Sequence, residues 1–267
     1  MPTKTPTPTE VPRQITFHYV SPVTVIPNRG LGNPGLYKWE GWDYRTDIGG
    51  TMRVVPDPAG KYGDVIEYEL DEHVNYNDET RVTMGFHGPP IRCPCSAKTA
   101  IRFSPDFQTQ GTGFMNLISL SNQSGYTAQL EGYSHKVKGN MALVLIDRNA
   151  DGNAVISAQR PNADGTGLAR LPEDYHPTEF ALNPDTWYEI EVVMGPDNPG
   201  SDNWVITLNV QGEDGRTFSK TVPFPDIPEE LIPDEGKRIV GGHVGPYGNL
   251  GKGKFWTRQV EMTAWEE

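Results

Sequence analysis

The chain has 267 residues, enough for one large core, and carries 35 acidic against 23 basic side chains for a formal charge of -12. That balance works against nucleic acid and against an anionic membrane surface as partners, since both select a basic footprint. No run of about 18 apolar residues occurs, so no membrane-spanning helix is expected, and the N-terminus lacks the charged-then-apolar order of a signal peptide.

Residues 1–13 form a Thr/Pro-rich linker, with Pro2, Pro6, Pro8 and Pro12 holding it extended and without a core of its own. Such linkers join modules of exported proteins, so a secreted, monomeric module of a longer protein is expected, with residues 14–267 as one domain. The 29 glycines and 24 prolines leave little room for helices, and apolar residues rarely recur at helical spacing. Short alternating runs predict strands at 16–20, 51–55, 64–70, 79–86, 99–103, 114–121, 127–133, 141–147, 154–159, 187–194, 204–210, 217–222, 239–244 and 255–264. One helical turn is predicted at 228–232, before Pro233 ends it. Many short strands at close spacing define an all-β protein, a two-sheet antiparallel β-sandwich for which a jelly roll is the usual solution.

Four aromatics, Tyr37, Trp39, Trp42 and Tyr44, fall within eight residues. They form either a platform that stacks on sugar rings or a plug for one end of the sandwich. Glu79, Arg81 and Thr83 share one face of a strand by period-two alternation, which suits either recognition of a sugar acid or a plain surface ion pair. Cys93 and Cys95, separated by Pro94, have three outcomes open: a small disulfide, inert thiols, or a metal site shared with His87. Tyr133 and His135 share a face further on. The stretch 147–153 sets Asp147, Asn149, Asp151 and Asn153 at alternate positions with Gly152 sixth, as a calcium loop does. Ala158 stands where that loop carries its glutamate, and a polar hairpin turn has the same composition. Near the C-terminus, His243, Gly245, Tyr247 and Asn249 alternate onto one face. A histidine, a tyrosine and an amide together are the components of a proton-transfer site, and equally of a concave sugar-binding sheet.

The pattern Glu79-Thr80-Arg81 on an early strand with Gly245-Pro246-Tyr247-Gly248-Asn249 on a late one resembles the jelly-roll polysaccharide lyases of the alginate and glucuronan lyase kind. Those enzymes carry Arg-x-Glu-x-Arg at the first place and Lys-x-Gly-x-Tyr-x-Gln at the second. Here Asn77 stands for the first arginine, His243 for the lysine and Asn249 for the glutamine. Their Gln-x-His motif on a middle strand has no counterpart in 114–123. The resemblance implies a concanavalin A-like fold and β-elimination on a uronate polymer. It casts Tyr247 as base and acid, with Arg81 and Asn249 neutralising the substrate carboxylate and His243 or His135 assisting. Glu79, Tyr133, Trp39 and Trp42 would bind the polysaccharide. No cofactor is required for catalysis on this reading, and calcium at 147–153 would be structural.

Two further functions stay open. A non-catalytic carbohydrate-binding module fits the linker. A glycoside hydrolase, ranked third, needs two carboxylates about 5 to 10 Å apart, and the pairs Glu67 with Glu69 and Glu189 with Glu191 are its candidates.

Overall fold

The computed structural model describes residues 14–19, 35–39, 42–48, 50–70, 80–109, 115–121, 140–148, 154–159, 175–199, 201–223, 238–244, 247–248, 250–258 and 260–265. Among these every regular element is a strand, and every pairing is antiparallel. The chain order is β1 Gln14–Tyr19, β2 Gly35–Trp39, β3 Trp42–Ile48, β4 Gly50–Pro56, β5 Asp64–Leu70, β6 Thr80–Phe103, β7 Gln108–Thr109, β8 Met115–Ser121 and β9 Asn140–Arg148. It continues with β10 Ala154–Gln159, β11 Tyr175–Ala181, β12 Tyr188–Pro196, β13 Trp204–Gly212, β14 Thr217–Pro223, β15 Arg238–Val244, β16 Tyr247–Gly248, β17 Leu250–Thr257 and β18 Val260–Trp265. The strand predicted at 127–133, the helical turn at 228–232 and the linker 1–13 lie outside the described residues.

Two sheets share β6. Its first half pairs with β3 on one side and with β15 and β16 on the other, and β8, β9, β10 and β11 extend that sheet. Its second half pairs with β12 and with β17 and β18, while β13 and β14 continue beyond β12, and β5, β4 and β1 beyond β17 and β18. Proline lacks the N–H that a ladder needs, and β6 puts its prolines where the ladder is already interrupted. The β15 register shifts opposite 88–90, the Gly88-Pro89-Pro90 stretch, and Pro94 sits exposed where β6 leaves one sheet for the other. Cys95, beside it, is buried and disulfide-bonded, and Cys93 is the only other cysteine in the chain.

The second sheet supplies the described part of the core. Along β12 the alternation Tyr-Glu-Ile-Glu-Val sends Tyr188, Ile190, Val192 and Met194 to full burial and leaves Glu189 and Glu191 partly exposed. Ile206, Leu208 and Val210 of β13, Ile66 and Tyr68 of β5, and Phe255 of β17 continue the inner layer. β12 lies within contact of β8 and β9, so this layer faces the first sheet.

A second apolar cluster sits on the outer side of the same sheet, where Val65, Ala100, Trp187 and Trp256 pack under the loop that joins β4 to β5. Asp57 organises that loop. Its carboxylate accepts the N–H groups of Ala59, Lys61 and Tyr62 at 2.8 Å each and the buried indole N–H of Trp187 at 3.1 Å. Burial pushes the Asp57 carboxyl up, but those donors outweigh it and hold the group below the usual carboxylate range.

Candidate functional site

The first sheet gathers the residues singled out on the two distant stretches. Tyr247 is the direct partner of Arg81, and Gly248 of Thr80. The same register runs through β15, where His243 stands opposite Gly85 and Val244 opposite Met84. Positions 81 and 85 alternate onto one face of β6, so their partners 247 and 243 share that face of the sheet. On the far side of β6, Ile48 is the partner of Arg81 and Tyr44 of Gly85. Trp39 and Trp42 face each other across β2 and β3, and Trp42 lies opposite Phe86, whose other partner is Gly242. Tyr44 therefore stands in the row that holds His243, and Trp39 and Trp42 in the next row, which alternates to the other face.

The possible calcium stretch falls at the same end of this sheet. Gly248 pairs with Met115, Met115 with Ile146, and Ile146 with Ile156. Asp147 follows one residue later, opposite Val155, and Arg148 pairs with Ala154 at the end of the β9–β10 ladder. With strands about 4.8 Å apart, position 146 lies on the order of 10 Å from position 248. Glu79, Tyr133, His135, Asn149, Asp151, Asn153 and Asn249 lie outside the described residues. Among the described residues no three His, Cys, Asp or Glu side chains converge as a metal site would.

The carboxylate pairs considered for a hydrolase occupy the outer face of the second sheet and are already engaged. Glu67 is 6 % exposed and accepts Arg53 Nε at 2.7 Å and the Trp256 indole N–H at 3.0 Å. Lys254 Nζ lies 3.6 Å from Glu67 and 3.8 Å from Glu69. The hydrogen bond to Glu67 raises the Arg53 guanidinium further above its ordinary value. Glu189 holds Lys98 Nζ at 2.8 Å, and that bond keeps Glu189 below the usual glutamate range while raising Lys98. Glu191 accepts the Asn209 amide at 3.4 Å. A general acid needs a raised carboxyl beside a free one, whereas Lys98 holds Glu189 low and Glu67 is bonded to Arg53 and Trp256.

One polar centre leaves no motif in the sequence. The Tyr188 hydroxyl accepts Asn183 N at 2.9 Å and Arg216 Nη2 at 2.6 Å and donates to Asp214 Oδ2 at 3.1 Å. Burial, foremost, raises its phenol above the usual value. With every valence used and the ring fully buried, it locks the end of β12 against the β13–β14 turn and is closed to a substrate.

No family profile matches the chain, and no curated protein sequence does. Solved structures do match. The endo-beta-1,4-glucuronan lyase from the fungus Trichoderma reesei aligns with 87% of this chain and 95% of its own, at 15% identity and a TM-score of 0.56. The PL-14 alginate lyase from Aplysia kurodai aligns with 79% of this chain and 86% of its own at 11% identity and a TM-score of 0.49. A seed lectin of Lotus tetragonolobus aligns with 95% of this chain and 100% of its own at 11% identity and a TM-score of 0.45. The chain has the concanavalin A-like jelly-roll fold, an antiparallel β-sandwich, in common with the glucuronan lyase.

Proposed function

We propose that the protein is a secreted polysaccharide lyase that cleaves a uronate-containing polymer by β-elimination on the first sheet. The observation that carries the reading is the register that pairs Tyr247 with Arg81 and keeps His243 on the same face. These positions come from stretches over 150 residues apart in sequence, and a catalytic set is assembled by the fold in this way. The glucuronan lyase shares that fold, which makes the substrate class a natural one to try first.

In this mechanism Arg81 and Asn249 neutralise the uronate carboxylate, so that charge developing at C5 on loss of its proton is stabilised. Tyr247 removes that proton. The electron pair forms the C4–C5 double bond, the C4–O bond breaks, and the departing oxygen is protonated by Tyr247, with His243 and His135 assisting. A phenol titrates near about 10 when unperturbed, so the cationic neighbours must lower it for the base role. Tyr133 and Glu79 hold the chain along this face, whereas the register sets Trp39 and Trp42 in the row of Phe86, which alternates to the other face. Secretion agrees with the disulfide at Cys95, which belongs to an oxidising compartment. Calcium held by Asp147, Asn149, Asp151 and Asn153 would brace the β9–β10 ladder beside the groove and take no part in proton transfer.

Incubation with alginate, glucuronan and pectic substrates, followed by ultraviolet absorbance of the unsaturated uronate product, tests the reading. Product from one of them is expected, and Tyr247→Phe is expected to lower turnover about 10² to 10⁴-fold. Unchanged turnover would remove Tyr247 from the base role. No product from any polymer, with binding retained on affinity gels, would overturn the lyase in favour of a binding module.

A further inference from the structure

The outer face of the second sheet carries an open depression of about 80 Å³ lined by Lys98, Thr99, Ala100, Glu189, Arg258 and Glu261. It lies on the side of β6 away from the core, and none of its residues belongs to the set on the first sheet. Its origin is a β-bulge. Thr257 pairs with Ile101 and Glu261 with Lys98, so the register against β6 shifts by one residue between β17 and β18. A bulge bends its strand and re-aims a side chain, and such bulges occur beside binding sites. Both backbone groups of Arg258 are fixed there: its N–H donates to Ala100 O at 3.0 Å, and its carbonyl accepts Thr99 Oγ1 at 3.1 Å.

The redirected Arg258 guanidinium lies 4.3 Å from the centre of the Tyr62 ring. The ring in turn stands edge-on against Trp187, with centroids 5.0 Å apart, so the platform belongs to the packed cluster under the β4–β5 loop. Stacking fixes the plane of the guanidinium but uses none of its N–H donors, and among the described residues it meets no carboxylate. Every other charge in the depression has a partner or a role: Lys98 is bonded to Glu189, and Glu189 also accepts the Tyr62 hydroxyl at 3.4 Å. The result is a pre-set donor fork with ammonium and carboxylate groups alongside.

We propose that this depression is a second binding site, for one carboxylate-bearing sugar unit. The Arg258 fork matches a carboxylate in two-pronged geometry, and the Glu189 carboxylate beside it can accept from a ring hydroxyl. Two cations against two carboxylates give a lining of zero formal charge. That suits a single carboxylate set among hydroxyls and disfavours phosphate groups and free cations. The choice of a uronate rests on the reading of the first sheet, whereas the anion site itself rests on Arg258. Two sites on opposite faces let one polymer be held by the outer face while another segment occupies the groove.

The test is a titration of the ¹⁵N-labelled full chain with sodium glucuronate and, in parallel, with glucose. Saturable shifts are expected at the amides of Lys98, Ala100, Arg258 and Glu261 with glucuronate, at least about tenfold weaker with glucose. Arg258→Gln should weaken them at least about tenfold while its turnover on uronate polymers stays at the parent level, and Arg258→Lys should recover part of the affinity. Absence of saturable shifts at those amides, shifts confined to 81–85 and 241–244, or equal affinity in Arg258→Gln would each overturn the outer site, and the first two need no variant. Outer-face shifts from a chain that yields no unsaturated product would sink the lyase reading and leave this site standing.

Discussion

Replacing Asp57 isolates what holds the β4–β5 loop over the outer cluster. In Asp57→Ala the indole N–H of fully buried Trp187 loses its acceptor, a cost of about 1 to 3 kcal/mol for an orphaned buried donor. The N–H groups of Ala59 and Lys61 belong to exposed residues, so water replaces the lost carboxylate there at small net cost, and Tyr62 falls between the two cases. The sum is about 3 kcal/mol, which for a domain near this size lowers Tm by about 6 to 12 °C. Asp57→Asn keeps an acceptor for Trp187 but turns an amide donor toward the loop N–H groups, so its Tm should fall between the two. The pH dependence has a fixed sign. A carboxyl depressed in the fold adds stability above its unfolded value of about 3.9 and loses it as pH falls through the folded value, so parent and Asp57→Asn should converge below about pH 4. Melts followed by tryptophan fluorescence from neutral pH downward measure both effects. An Asp57→Ala protein melting within about 2 °C of the parent at neutral pH would refute the account.

Gly253 has φ of 101° and its added Cβ would lie 2.5 Å from Phe107 Cα, so Gly253→Ala should cost at least about 3 kcal/mol in urea unfolding. Gly60, at φ of 69° with open space around it, should lose only about 1 kcal/mol on the same change. Tyr188→Phe strips the hydroxyl from Asn183, Asp214 and Arg216 and should cost about 1 to 2 kcal/mol, with urea midpoints as the measure. If calcium occupies the 147–153 stretch, chelation lowers Tm and added calcium restores it. A melt indifferent to chelator would remove the ion.

Strands with clean alternation and a covered inner face were legible as such. The boundaries 64–70 and 154–159 predicted for β5 and β10 are those observed, because both runs lack glycine and proline and start just after a turn residue, Gly63 and Asn153. Proline and glycine misled where tertiary pairing overrides them. Strands at 79–86 and 99–103 were expected apart, yet β6 runs from Thr80 to Phe103 through five of these breakers, Gly85, Gly88, Pro89, Pro90 and Pro94. Pro177 concealed β11, where Ser157 is its partner beside a register shift, and Gly251 and Gly253 concealed the start of β17. The aromatic stretch was read for its chemistry, and β2 and β3 were missed. Period two told which residues of β12 share a face, but whether Glu189 or Ile190 met the core depended on the opposing layer. The bulge at Arg258 left no mark in sequence, since it exists only as a mismatch in count with β6.

The double membership of β6 also governs when this protein can fold. Its neighbours come from β3, near residue 45, and from β12, β15, β16, β17 and β18, the last pairing Trp265 with Arg92. Loop closure over such separations is slow, and a ribosome delivers the chain from its N-terminus. β6 therefore emerges with only β3 at hand, on one edge of its first half, and waits for more than 150 further residues before its last partner arrives. During that interval its prolines, unable to donate to a foreign strand, guard the middle of the longest exposed edge in the nascent chain.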